Sequence, residues 1–220
     1  MTDKQIRKYI NLLNKGKHEE SIFTHKISEN VEVAKVWKIQ PNINDNYNSN
    51  FLSETFFFIK NTSNKYVGAV LDMGEDLHWY IIPKSRKQGH LTKSLKSAII
   101  PYLFYFYEEY EFLKITIDVN IIGEINYQNS RKVAINLGFK SIEDSETEFE
   151  LSRKDFNWGN ENIIDYNSQI NPERLELLKK RINYAYLLLY KCSDELLMKN
   201  NDDNELKTLA KKVKSYVFKI

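Results

Sequence analysis

Leu77-His78-Trp79-Tyr80-Ile81-Ile82-Pro83-Lys84-Ser85-Arg86-Lys87-Gln88-Gly89-His90-Leu91-Thr92 sets a strand, a tight basic turn and a helix start in immediate succession. The chemistry open to that order is capture of a diphosphate. The first turn of a helix leaves backbone N–H groups unpaired and carries the positive end of the helix dipole. The amides of Gln88, Gly89, His90, Leu91 and Thr92 can therefore converge on two phosphates. Gly89 lets the backbone come close, and Arg86, Lys87 and Lys93 add charge at the rim. An ordinary strand-to-helix connection with solvated basic residues accounts for the same letters, so the loop by itself does not decide. It has neither the full glycine pattern of a dinucleotide fingerprint nor the Gly-Lys-Ser/Thr ending of a triphosphate loop, and neither site is supported.

The elements around this loop follow from periodicity. Ile6, Ile10 and Leu13 recur at helical spacing, predicting a short amphipathic helix over 3–15 closed by Gly16. From Glu32 the chain turns β-rich: 31–39, 55–60, 66–73 and 77–82 read as strands separated by Asn, Ser, Gly and Asp turns, an antiparallel meander. Leu91, Leu95, Ala98, Ile99 and Leu103 continue the loop into a helix, and 112–119 returns as a strand. A second helix is expected over 128–136, stopping at Gly138, and then a final hairpin over 139–152.

These elements make an α/β (α+β) body over 1–155. The segment 156–170 reads as a polar, Asn-rich linker, and 171–220 as a separate C-terminal unit. Asn171-Pro172-Glu173 supplies an N-cap with proline at the first helical position. Leu175, Leu178, Ile182, Ala185, Leu189, Cys192 and Leu196 keep a heptad spacing, and Leu206, Leu209, Val213 and Tyr216 repeat it after a turn. An antiparallel helical hairpin is expected.

A second segment carries the comparison further: Asn129-Ser130-Arg131-Lys132-Val133-Ala134-Ile135-Asn136-Leu137-Gly138-Phe139, a helix that ends in glycine and an aromatic restarting a strand. Together the two segments resemble the GNAT superfamily of N-acetyltransferases, whose acetyl-CoA loop follows Q/R-x-x-G-x-G/A and whose later helix often ends in Leu-Gly-Phe. The branch that acetylates protein N-termini, including ribosomal proteins, is the most similar. There Ser-x-Lys/Arg-Val-Ala precedes Lys-Leu-Gly-Phe, and Ile-Gly-Tyr-Trp-Ile precedes the loop. The resemblance covers about residues 32–155. Leu91 departs from the family's Gly or Ala, His78 from a small residue, and Tyr127 from an asparagine usual three residues before the serine.

The resemblance implies a mixed, mostly antiparallel sheet in which two parallel strands, 77–82 and 112–119, splay apart around acetyl-CoA. It implies that backbone groups of Ile81 and Ile82 hold the pantetheine and supply the amide that polarises the thioester. Arg86, Lys87, Gln88, Gly89, His90, Leu91 and Thr92 would hold the phosphates, with Asn129 and Lys132 as further cofactor contacts. Asp76 matches a frequent catalytic glutamate and is the first choice for the base, with Glu75 and His78 as alternatives. Ser130 or Tyr127 would protonate the departing thiolate. The acceptor is then an amine, on a protein N-terminus or a small molecule. A reading from another class is a non-catalytic acyl-CoA-binding or regulatory module whose C-terminal helices bind a partner or form a homodimer.

Composition narrows the remaining classes. Hydrophobic residues at 42% and aromatics at 13%, with 7 Gly and 4 Pro in 220 residues, describe a folded chain. A net charge of +2 and no long basic run argue against nucleic acid. Lys211, Lys212 and Lys214 read as a solvated face. No apolar run reaches the ~18 residues of a membrane span, and no secretory signal opens the chain, so the expected address is the cytoplasm. The lone Cys192 excludes an intrachain disulfide and reads as a small buried apolar residue. No metal site is expected.

Overall fold

The structure, a computed structural model, describes residues 2–46, 53–74, 76–143, 145–158, 170–200 and 204–220. They fall into two compact units, which divide between residues 158 and 170; the linker expected over 156–170 lies mostly outside the described residues.

In the first unit, α1 (Asp3–Asn14) opens with a capping box in which the Gln5 side chain accepts the Thr2 amide at 2.9 Å. Five strands follow as an antiparallel meander in the order β1 (Ile22–Ser28), β2 (Val31–Val36), β3 (Glu54–Lys60), β4 (Tyr66–Asp72) and β5 (Leu77–Ile81). β1 was not among the strands expected. A bulge between Lys26 and Ser28 breaks its alternation, so its buried Ile22 and Ile27 fall out of a two-residue period. β3 reads as a continuous apolar run because both faces of the sheet are covered. Phe56 and Phe58 pack on α1 through Ile6 and Ile10. Phe57 and Ile59 turn the other way, into the main core with Leu95, Ile99 and Leu103.

The helical stretch after the loop is α2 (His90–Ser94), a π-helical turn (Leu95–Ile99) and α3 (Ile100–Phe106). Pro101 accounts for the π turn: it has no N–H to donate, and its ring crowds the carbonyl four residues back, so the helix widens. β6 (Phe112–Thr116) is shorter than expected, because Asp118 accepts the Asn120 amide at 2.8 Å and caps a short α4 (Val119–Ile122). α5 (Glu124–Asn136) starts before the expected residue 128, since Gly123 at φ 75° breaks the backbone and allows an immediate restart. β7 (Lys140–Ser141) and β8 (Glu148–Ser152) complete a second sheet in the order β6-β8-β7. The whole is a mixed α/β, mostly antiparallel architecture followed by C-terminal helices.

The second unit is an antiparallel pair, α6 (Pro172–Asn200) and α7 (Asn204–Tyr216). Lys207 lies over the Tyr190 ring at 5.0 Å and Lys214 over Tyr186 at 4.6 Å. Cys192 is exposed, against expectation, while neighbouring Ser193 is buried. A straight helix drifts about 20° per heptad from a strict seven-residue repeat, so by the third heptad the stripe has rotated past Cys192. In α7 the packed stripe runs through Leu206, Ala210 and Val213 from the first turn, which leaves Leu209 and Tyr216 exposed. No helix among the described residues is long and apolar enough to cross a membrane.

Candidate functional site

β5 and β6 lie side by side and parallel, yet one isolated bridge, Asp76 to Lys114, is all the pairing between them among the described residues. The Asp76 carboxylate reinforces that bridge, accepting the Thr116 amide at 3.2 Å and the Thr116 hydroxyl at 3.1 Å. Beyond it the strands form no ladder. In the antiparallel register with β4 the Ile82 amide bonds the Val67 carbonyl at 2.9 Å. By alternation Tyr80 and His78 also spend their backbone groups on β4, so Trp79 and Ile81 present theirs to the open side. An unpaired strand edge of this kind can take an extended amide-bearing ligand as a strand substitute.

The loop adjoins the open end of this edge. Lys87 at φ 60° and Gly89 at φ 76° both adopt the left-handed region, which turns the chain sharply into α2. Glycine takes that conformation freely, whereas at Lys87 it costs about 1–2 kcal/mol. The Lys93 amide bonds the Gly89 carbonyl at 3.0 Å and is the first of the helix to do so, leaving the amides before it without backbone partners among the described residues. A Cβ built on Gly89 meets nothing within 4 Å, so the turn faces open space. Gln88 closes the turn from within, donating to the Lys84 carbonyl at 3.1 Å and meeting His90 Nε2 at 3.1 Å. Leu91 packs against the main core rather than crowding the loop.

Side chains from α5 face the edge. The Trp79 indole N–H reaches Ser130 Oγ at 3.4 Å, and Tyr127 donates its hydroxyl to the Glu146 carbonyl at 3.1 Å. Arg86 spans the mouth: its Nε donates to the Ile81 carbonyl at 3.0 Å and its Nη1 to Asn126 Oδ1 at 3.2 Å. Asn126 escaped the sequence reading because the asparagine was sought one residue later, at Tyr127.

Several expected residues are placed elsewhere. The backbone of Ile82 is committed within the fold, its amide to Val67 and its carbonyl to the Ser85 amide at 2.9 Å, which corrects its reading as a ligand contact. His78 turns to the opposite sheet face, 3.4 Å from Asp3 in a contact too poorly aligned for a hydrogen bond. Asn129 and Lys132 are exposed on the outer face of α5, lining a shallow depression of about 330 Å³, away from the face that carries Ser130. Glu75 lies outside the described residues. Among the described residues no group of three or more His, Cys, Asp or Glu is placed to hold a metal.

Asp72 was not singled out from the sequence. It ends β4 opposite Leu77, on the sheet end that carries Asp76. Burial pushes its carboxyl up to about 6, although the Gly74 amide at 3.0 Å and the charge of Lys35 pull the other way. A carboxyl raised in the folded state contributes stability that is fully present below its unfolded value of 3.8 and is lost as pH rises through about 6. Asp72→Asn is therefore expected to stabilise the protein above pH 6 by about 1–2 kcal/mol, after discounting for partial solvent screening, with the gain vanishing below its unfolded value. Urea unfolding across that range measures it, and an equal gain at all pH would show that charge is not the cause.

No protein-family model matches the chain, and no curated protein matches it. Among solved structures, a mutant of the spermidine N-acetyltransferase SpeG from Vibrio cholerae aligns with 69% of this chain and 92% of its own, at TM-score 0.36 and 11% identity. That likeness is too distant to assign an activity.

Proposed function

We propose that this protein transfers an acetyl group from acetyl-CoA to a primary amine, on a protein N-terminus or a small molecule. The observation that carries the reading is the unpaired edge of β5 at Trp79 and Ile81, opening directly onto a loop with unpartnered amides and basic side chains. An extended pantetheine arm fits such an edge and a diphosphate fits such a loop. For the arm to reach Ile81, Arg86 gives up its bond to the Ile81 carbonyl. Arg86 is exposed, so water can replace that bond, and its guanidinium then turns to a phosphate.

Acetyl-CoA, when bound, supplies an activated acetyl group: a neutral amine forms the C–N bond, the C–S bond breaks, and CoA leaves as a thiolate that must gain a proton. The Ile81 amide, unspent on β4, is the donor that stabilises charge on the carbonyl oxygen. Ser130 is better suited than Tyr127 to protonate the thiolate. It accepts from Trp79 and keeps its own O–H, whereas the Tyr127 proton is held by Glu146. Asp76 takes the proton from the amine, through water where the amine stands off.

Asp76 also ties the strands together, which makes its substitutions informative. Asp76→Ala is expected to cost about 1–3 kcal/mol in urea unfolding, since both Thr116 donors lose their acceptor. Asp76→Asn keeps an acceptor for the Thr116 amide and is expected to hold stability while lowering turnover about 100-fold. Unchanged turnover in that variant would leave Asp76 a strand clamp and return the base to another group. That clamp is also the observation behind a second reading, a module that binds acyl-CoA without turning it over.

The test of the leading reading is calorimetric titration with acetyl-CoA, followed by an amine-acceptor screen that detects released thiol. Binding with turnover on an amine supports it. Binding without turnover on any amine favours the second reading, and no binding overturns both.

A further inference from the structure

The face of α6 turned away from α7 carries Leu177, Tyr184, Leu187, Leu188 and Met198 exposed, at 38% to 76% of their surface. Charged Lys180, Lys191 and Glu195 lie on the same exposed stripe. Neither Lys180 nor Glu195 forms an ion pair within the chain among the described residues. The spacing is palindromic about the midpoint between Leu187 and Leu188. Moving outward, Leu187 answers Leu188, Tyr184 answers Lys191, Lys180 answers Glu195, and Leu177 answers Met198. A second copy of the helix laid antiparallel across that midpoint brings each residue onto its counterpart, and a two-fold axis makes every pair occur twice.

We infer that α6 is a homodimer surface, the two chains crossing antiparallel at Leu187 and Leu188 so that their hairpins form a four-helix bundle. Every facing pair is chemically matched. Leucine meets leucine at the axis, Leu177 meets Met198 at the ends, Lys180 meets Glu195, and Lys191 meets the face of Tyr184. The last pairing repeats what the inner side of the helix already does, where Lys207 and Lys214 of α7 lie over Tyr190 and Tyr186. From Leu177 to Met198 the stripe runs about 30 Å, a full helix-on-helix contact. A lone hairpin leaves that face wet, whereas two hairpins bury it at the core of a bundle. The inference stands independently of acetyl transfer.

Sedimentation equilibrium of the full chain over a range of concentrations is expected to give twice the 26.1 kDa mass of one chain. Lys180→Glu and Glu195→Lys, each alone, turn two symmetry-related attractions into repulsions and are expected to weaken the dimer about tenfold. The double variant Lys180→Glu/Glu195→Lys restores it, because the exchanged charges still meet across the axis. Leu187→Glu gives a monomer with unchanged helicity by circular dichroism. A monomeric parent overturns the inference, and so does a dimer indifferent to the single charge reversals. Loss in both single variants without recovery in the double variant also overturns it, pointing to this chain's own body or another protein as the occupant.

Discussion

Gly68→Val is expected to destabilise the protein by about 3 kcal/mol or more, and Gly68→Ala by about 2 kcal/mol, the larger effects coming from the larger side chains. Gly68 on β4 pairs with Ile81 on β5. A Cβ there runs into the Ile81 side chain, which can rotate, and stands 2.9 Å from the Tyr80 carbonyl, which cannot move without its strand. The neighbouring β4 residues Val67, Ala69 and Val70 are buried, so no yielding surface takes up the strain. The only relief is to push the end of β5 away from β4. That end presents Ile81 to the open edge and delivers the chain to the loop, so a surviving Gly68→Ala protein should also bind acetyl-CoA at least tenfold more weakly. Urea denaturation and calorimetry measure the two effects on the same sample. Full affinity in a destabilised Gly68→Ala protein would show that the open edge of β5 does not hold the ligand.

What could be read from the letters alone follows a physical division. The loop and the Leu137-Gly138-Phe139 helix end were legible because local chemistry dictates them: glycine takes the left-handed backbone at 89 and 138, and apolar periodicity marks the helices that enter or leave. β1 was hidden by its bulge. α4 and the early start of α5 were hidden because Asn-Ile-Ile-Gly-Glu resembles a loop until the Asp118 cap is seen to close it. Contacts set by tertiary structure left no local signal. Arg86 and Asn126 meet across 40 residues, as do Asp76 and Thr116. Asp72 looks like any turn aspartate until the fold buries it. The candidate site was thus half legible: its loop came from sequence and the splaying of its two strands from the family resemblance, while its Arg86 closure and the inward turn of Ser130 came from the fold.

Gly89→Trp is the substitution that separates a phosphate loop from a mere connection. At φ 76° any side chain costs about 1–2 kcal/mol of backbone strain, yet a Cβ meets nothing within 4 Å, so bulk adds no clash inside the protein. Gly89→Ala carries the same strain with little bulk and serves as the control. If the amides after Gly89 receive a diphosphate, the indole stands in its place, and acetyl-CoA affinity falls at least 100-fold, about 2.7 kcal/mol, beyond the Gly89→Ala effect. Acetylpantetheine, which lacks the diphosphate, would then engage only the β5 edge. Its weaker binding should be the same in parent, Gly89→Ala and Gly89→Trp. Loss of acetyl-CoA binding with acetylpantetheine unaffected locates the phosphates at this turn. Equal loss of both ligands would point to a distorted fold, and retention of acetyl-CoA by Gly89→Trp would make the basic turn the solvated connection that its sequence alone allowed.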